Sequence, residues 1–347
     1  MIDEIIVDEF LSRESEAASD AGVATSRHHG LWAIVLAGGE GVRLRPLVRQ
    51  VFGDDRPKQY VPLLGSDTLL AQTLNRVALE VPAERTVVVT MTQHAGYMAD
   101  ELSRRHRPRV IAQPCDRGTV AAILYPVHRI AREDSEATVA VFPSDHLVVA
   151  EAPFMAHVAE VARWIDRNPR WTVLLGAQPT SPEVEYGWIE PAQYLDELSS
   201  GPVRAVRAFC EKPSLSMARA YLAGGHLWNT SVIVAKVSAL LELGRAQLPN
   251  VDDRLARIQR FVGTPDEAAA VRQAYELLPK ANFSRTILEA SAATLAVSRL
   301  PRVGWSDLGS PRRVIEAIGQ LPVAPGWATG LIESLRAVGS RPAGHGE

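Results

Sequence analysis

The sequence predicts an α/β protein: a mixed, mostly parallel sheet with helices on both faces, followed by a helical C-terminal part. Three observations lead there. Short apolar or β-branched runs alternate with stretches of helical period from residue 31 to about 235. Those runs are apolar along their length, as in strands covered on both sides. Beyond residue 236 the pattern turns mainly helical through Glu289, before one more strand candidate and a polar loop. Strands alternating with helices in this way build a parallel sheet between two helical layers.

In chain order, the strand candidates are LWAIVLA (31–37), RTVVVTM (85–91), ATVAVF (137–142), WTVLLG (171–176), VRAVRAF (203–209), SVIVAKV (231–237) and ATLAVSRL (293–300). Each is short, β-rich and bounded by turn formers. Between the second and third runs, Val120, Ile123, Leu124, Val127 and Ile130 fall on one face of a helix spanning 117–133. No repeat, charge block or Pro/Gly-rich linker divides residues 31 to 318. The expected organisation is an acidic extension over 1–30, one catalytic domain over 31–319 and a tail over 320–347. The first thirty residues hold seven acids against two arginines, the reverse of a basic signal-peptide start. The terminal GSRPAGHGE reads as disordered.

Composition narrows the function. A net charge of −3 argues against a general nucleic-acid binder, which needs a basic surface to displace counterions. No apolar run approaches the length that spans a bilayer, so no membrane partner is expected. Two cysteines, Cys115 and Cys210, are too few for a disulfide framework or a zinc site and suit a cytoplasmic protein. Only four of the 37 basic residues are lysines: Lys58, Lys212, Lys236 and Lys280. A compact ammonium is not interchangeable with a planar guanidinium, so each lysine deserves inspection.

The chemistry starts at LAGGEGVRLRPL, directly after the first strand candidate. Gly38, Gly39 and Gly41 let a backbone turn tightly and bring its N–H groups close to an anion. The spacing is neither a P-loop nor a dinucleotide fingerprint, since it lacks the Gly-Lys-Ser/Thr ending and the third glycine. Arg43 follows two residues later, and Arg56-Pro57-Lys58-Gln59 after a polar loop. Together they offer a triphosphate backbone donors and cations.

GGEGVRLRPL followed by RPKQYVPL resembles the signature of the sugar-1-phosphate nucleotidyltransferases, and PKQ in particular is similar to mannose-1-phosphate guanylyltransferases. Further segments match in order. Phe142-Pro143-Ser144-Asp145-His146 is similar to P-[AS]-D-H, which implies Asp145 as a Mg²⁺ ligand. Tyr186-Gly187-Trp188-Ile189-Glu190 resembles YGYIE, where the backbone of Gly187 approaches the sugar. Phe209-Cys210-Glu211-Lys212-Pro213 resembles FxEKP, implying Glu211 on sugar hydroxyls and Lys212 on the sugar phosphate. Trp228-Asn229-Thr230 resembles WNSG, with Asn229 on the sugar. Gly304-Trp305-Ser306-Asp307-Leu308-Gly309 resembles WSDxG, with Asp307 as second metal carboxylate. Gln113 and Arg117-Gly118-Thr119 lie where the family carries its base-recognition loop. Here Arg-Gly-Thr-Val stands in place of R-N-T-A and WNTS in place of WNSG; these departures concern base and sugar, not reaction type. The fold implied is Rossmann-like, of the GT-A kind.

The resemblance implies transfer of a nucleotidyl group from an NTP, GTP by the PKQ and PSDH segments, to a sugar 1-phosphate, mannose 1-phosphate by the same segments. Pyrophosphate is released and Mg²⁺ is the cofactor. The sugar phosphate is largely dianionic at neutral pH, because a phosphate monoester has its second pKa near 6, so no general base is needed. Arg43 and Lys58 would hold the NTP phosphates and Lys212 would aim the attacking oxygen. Two alternatives stay open: another base or sugar, and a non-catalytic NDP-sugar-binding regulator. No hexapeptide-repeat or cupin-like extension is visible, so a fused acyltransferase or isomerase activity is not expected. A homo-oligomer remains open.

Overall fold

The computed structural model describes residues 30–103 and 107–328; the acidic extension and the expected disordered tail lie outside them. A nine-stranded sheet forms the centre. Its strands in chain order are β1 (Leu31–Leu36), β2 (Thr86–Met91), β3 (Arg109–Gln113), β4 (Thr138–Pro143), β6 (Thr172–Ala177), β7 (Gly187–Leu198), β8 (Gly201–Glu211), β9 (Leu227–Lys236) and β10 (Leu295–Arg299). A separate two-stranded ribbon joins β5 (Leu147–Val148) to β11 (Trp305–Ser306).

The spatial order is β3-β2-β1-β4-β9-β6-β10-β8-β7. Pairing is parallel through β3, β2, β1 and β4 and between β6 and β10, and antiparallel elsewhere. β7 also pairs back onto β9, so β9, β6, β10, β8 and β7 form a closed circuit. The sheet is therefore mixed, and the parallel half carries the glycine loop.

The helices are α1 (Arg45–Phe52), α2 (Leu69–Val77), α3 (Ala95–Leu102), α4 (Gly118–Glu133), α5 (Glu151–Arg167), α6 (Leu215–Ala223), α7 (Val237–Gln247), α8 (Pro249–Ile258), α9 (Glu267–Glu276) and α10 (Pro311–Ile318). The expected helix over 117–133 is α4, and all five of its apolar stripe residues are buried.

Residues of β1 show why both faces are covered. Trp32 and Ile34 point into one core with Val120, Ile123, Leu124, Val127 and Ile130 of α4 and with Leu240 of α7. Leu31, Ala33 and Val35 point into the opposite core with Leu70 and Leu74 of α2 and Val158, Val161 and Ile165 of α5. Successive strand side chains alternate between faces, so an apolar strand needs a helical layer on each side. Each large apolar side chain buried there contributes about 1.5–3 kcal/mol. A third cluster joins Leu44 and Leu47 to Leu147, Leu308 and Val314, stapling α1 and α10 around the β5–β11 ribbon. Residues 320–328 continue onto the same region, where Trp327 packs on Phe52 at 6.3 Å between centroids and donates to the Leu63 carbonyl at 3.2 Å.

β3 and β7 were not among the strand candidates. β3 is short and carries Arg109 and Gln113, and β7 is a half-exposed hairpin arm with repeated register shifts against β8. Neither offers a continuous apolar run to read.

Candidate active site

The glycine loop runs from the C-terminal edge of β1 toward α1, where ligands sit in open α/β sheets. Gly41 has φ +60, and a Cβ there would lie 2.9 Å from the Lys58 backbone nitrogen. Only glycine lets the loop turn in this conformation and lie against the PKQ segment. Gln59 fastens the loop from below, its Nε2 donating to the carbonyls of Ala37 and Gly39, both at 2.8 Å.

Lys58 itself is buried. Its Nζ donates to the Asp307 carbonyl at 2.8 Å and the Leu308 carbonyl at 3.4 Å and pairs with Asp145 Oδ2 at 3.1 Å. Three partners match the three protons of an ammonium. Lys58 therefore ties together the two loops that carry the metal-ligand candidates; a phosphate contact would replace one of these three.

Asp145 and Asp307 are 162 residues apart in sequence. The β5–β11 ribbon brings them together: Leu147 pairs with Ser306 and Val148 with Trp305, so Asp145 and Asp307 emerge side by side at its end. The Trp305 indole donates to His146 Nδ1 at 3.3 Å and reinforces the ribbon. Asp307 Oδ1 accepts from the Tyr186 hydroxyl at 2.8 Å and the Gly309 amide at 3.0 Å, and Arg313 Nη1 reaches both carboxylate oxygens at 2.9 Å. Burial opposes ionisation of Asp307, yet His146 once protonated, the Arg313 and Lys58 charges and the Tyr186 hydroxyl outweigh it and hold its carboxyl below the usual range. Tyr186, in turn, is raised well above the ordinary phenol range by burial and by the Asp307 charge.

The donor set suits a hard divalent cation. No group of three or more His, Cys, Asp or Glu capable of holding a metal occurs among the described residues. Mg²⁺ needs no more than one or two carboxylates when phosphates and water complete its shell. Asp145 Oδ1 lies 3.7 Å from His146 Nε2, and both oxygens of Asp307 accept from Arg313 Nη1, so a cation would take Asp145 Oδ1 and share the Asp307 carboxylate with Arg313.

On the β7–β8–β9 side, Gly187, Glu211 and Asn229 converge. Gly187 pairs with Glu211 in the β7–β8 ladder, and a Cβ on Gly187 would fall 2.8 Å from Glu211 Oε2 and 3.2 Å from Asn229 Cβ. Burial pushes the Glu211 carboxyl up from its ordinary value, against the pull of Lys212 and Arg285. Lys212 follows immediately, with φ +55 and its backbone amide bonded to the Tyr186 carbonyl at 3.1 Å. Such a conformation in a non-glycine residue is held by its surroundings and clusters at functional sites.

The base-side candidates divide. Gln113 is buried beside Gly38; its Oε1 accepts from Tyr275 at 3.1 Å, and its amide nitrogen lies 3.9 Å from Met91 sulfur. Gly118 and Thr119 are not brought into the cation cluster. Gly118 has φ +78, and a Cβ would lie 2.2 Å from the Ala281 carbonyl oxygen; Thr119 Oγ1 accepts from the Phe283 amide at 2.8 Å. Both dock residues 281–283 against the start of α4. Arg117 binds the Tyr275 and Glu276 carbonyls at 2.6 and 3.1 Å, tying α4 to the end of α9.

A nucleotidyl transferase family model matches residues 32–322, which includes every motif above. This chain belongs to the sugar-1-phosphate nucleotidyltransferase family. It is 31% identical over 283 residues to the xanthan biosynthesis protein XanB of Xanthomonas campestris, covering 80% of this chain and 57% of that one. It is 28% identical over 286 residues to the mannose-1-phosphate guanylyltransferase of Escherichia coli, covering 81% of this chain and 58% of that one. The chain thus spans somewhat over half the length of these curated relatives. A solved Thermus thermophilus structure, described as a mannose-1-phosphate geranyltransferase, superposes with a TM-score of 0.72 at 30% identity, covering 84% of this chain and 80% of that one. Among the described residues, no helix is long and apolar enough to cross a membrane.

Sequence reasoning missed Tyr186, Glu183 and Arg313 as site builders. Arg313 also pairs with Glu183 at 2.8 Å and lies 4.4 Å from the centroid of the Tyr186 ring. An arginine in the first turn of a helix carries no signal of its own, and the family motif stops at Gly309.

Proposed function

We propose that the protein transfers a guanylyl group from GTP to mannose 1-phosphate, giving GDP-mannose and pyrophosphate. The observation that carries this reading is Lys58 bridging Asp145 and the Asp307 loop beside the glycine turn, with Gly187, Glu211 and Asn229 gathered where β7, β8 and β9 meet. On this reading the triphosphate would lie at the glycine turn and the sugar at Gly187, Glu211 and Asn229, with the two carboxylates between them.

In the reaction, an oxygen of the sugar phosphate forms a bond to the α-phosphorus as the bond to the β-phosphate bridging oxygen breaks, and pyrophosphate leaves. The attacking oxygen is already ionised, so the residues act by position and charge. Backbone amides of Gly38, Gly39 and Gly41 and the Arg43 guanidinium would receive the triphosphate. Lys212 would hold the sugar phosphate in line, with Glu211 and Asn229 on the sugar hydroxyls. Asp145 and Asp307 would hold Mg²⁺, whose chemistry is charge neutralisation on the triphosphate. Arg313 and Tyr186 keep Asp307 ionised and oriented; Lys58 keeps the two carboxylate loops together. The Gln113 amide, oriented by Tyr275, is the side-chain candidate for the base, because a site with buried hydrogen-bonding groups rejects bases that leave them unpaired.

The test is pyrophosphate release with a panel of NTPs and sugar 1-phosphates, with Mg²⁺ and with EDTA. GTP with mannose 1-phosphate is expected to give the highest kcat/KM. A higher value for UTP or ATP removes the guanylyl assignment, activity in EDTA removes the metal role, and silence across the panel leaves the binding-only regulator.

A further inference from the structure

The two cations assigned to different substrates share one protein anion. Arg43 follows the glycine loop, and Lys212 follows β8, on the sugar side. Glu185, in the segment 178–186 that crosses between β6 and β7, places the same oxygen, Oε2, 2.9 Å from Arg43 Nη1 and 3.7 Å from Lys212 Nζ. All three side chains are about half exposed. Neither a tight turn nor a core contact requires this arrangement.

The flanking residues are anchored to the fold, whereas Glu185 is held through its half-exposed carboxylate by Arg43 and Lys212. Glu183 is held by Arg312 and Arg313, each at 2.8 Å, and its carbonyl accepts from the Trp188 indole at 2.8 Å. Tyr186 is held by Asp307 on one side and by the Lys212 amide on the other. The backbone on both sides of Glu185 is fixed while its half-exposed carboxylate ends at Arg43 and Lys212, so the carboxylate can leave by side-chain rotation alone. A carboxylate oxygen between a guanidinium and an ammonium is the protein's nearest equivalent to a phosphate oxygen.

We propose that Glu185 is a built-in competing anion: it holds Arg43 and Lys212 together in place of substrate phosphates and is displaced when they bind. This rests on the assignment of Arg43 and Lys212 to the two substrates. With one carboxylate partly offsetting both cations, a weakly charged ligand gains less from either. A ligand bringing a full phosphate charge displaces Glu185 and frees both cations, so binding of one substrate lowers the barrier to the other. Glu185 is thus a specificity residue, favouring doubly charged phosphates and coupling the two substrate sites.

The test compares wild type with Glu185→Gln, confirmed folded by circular dichroism, by calorimetric titration with inorganic pyrophosphate and separately with mannose 1-phosphate, both in EDTA. Glu185→Gln is expected to lower Kd for each by about two- to thirty-fold, the range for releasing two half-exposed ion pairs. The gain should shrink in an Arg43→Gln background, and KM should fall for both substrates without a matching rise in kcat. Unchanged or weaker binding in Glu185→Gln overturns the proposal, and so does a gain that persists undiminished in Arg43→Gln/Lys212→Gln. Tighter phosphate binding in a chain that turns over no substrate pair keeps Glu185 in its role and retires the transferase reading. Turnover without the gain in affinity does the reverse.

Discussion

Replacing Gly187 by alanine separates packing from recognition at the sugar side. The added Cβ meets Phe209 Cζ at 2.8 Å, Glu211 Oε2 at 2.8 Å and Asn229 Cβ at 3.2 Å. Phe209 belongs to the main core and its ring has nowhere to go, whereas the Glu211 carboxylate ends a flexible side chain. The cost therefore divides in two. Crowding against Phe209 should destabilise by about 1–3 kcal/mol, the usual range for overpacking. At about 2–4 °C per kcal/mol for a domain of this size class, Tm should fall by roughly 2–12 °C. Glu211 must then rotate away from the position it shares with Asn229, so KM for the sugar 1-phosphate should rise by about ten-fold or more, the worth of one charge-assisted hydrogen bond. KM for the NTP should change little, because the glycine loop lies on a different edge. Thermal melting and steady-state kinetics at fixed saturating co-substrate read both effects. A wild-type Tm with an unchanged sugar-phosphate KM would refute the packing argument and the placement of the sugar together.

Gly39 offers the converse case. A Cβ there meets nothing within 4 Å, so Gly39→Ala should melt like wild type while raising KM for the NTP; unimpaired NTP use would show that the loop backbone does not approach that ligand. Lys58→Met leaves the Asp145 carboxylate and the Asp307 and Leu308 carbonyls without their shared donor; a loss of about 1–3 kcal/mol in urea unfolding is expected, together with a large fall in kcat, and wild-type stability would contradict the bridging role. His157, on α5, is buried against Ser200, and burial lowers its pKa from 6.5 to about 4 despite the pull of Glu160. The folded state thus binds this proton less readily than the unfolded state does. The associated stability is intact above about pH 6.5 and declines as pH falls toward 4, by about 1.4 kcal/mol per pH unit. His157→Gln should flatten the stability profile between pH 6.5 and 4, measured by urea titration at several pH values; an unchanged slope would show that His157 does not titrate as its burial requires.

Elements whose physics is local were legible in the amino-acid order. Seven apolar runs became β1, β2, β4, β6, β8, β9 and β10, and the stripe from Val120 to Ile130 became the buried face of α4. Burial on both faces of a strand leaves a continuous apolar run, and burial on one face of a helix leaves a 3.6-residue period; both are written in neighbouring residues. The glycine turn was legible for the same reason, since a left-handed residue such as Gly41 selects glycine whatever its partners. The tertiary structure alone decided what depends on partners far along the chain. β5 and β11 are two residues each, too short to carry a pattern, yet their pairing sets Asp145 beside Asp307. Lys58 could be read as a cation near phosphates, but its three contacts lie 87 to 250 positions away, in loops whose approach the core packing decides. The docking of residues 281–283 on Gly118 and Thr119 likewise joins positions more than 160 residues apart. Glu185 carried no signal at all: a surface glutamate in a polar loop gains meaning only where the fold sets Arg43 and Lys212 on either side of it, because charges interact through space and not along the chain.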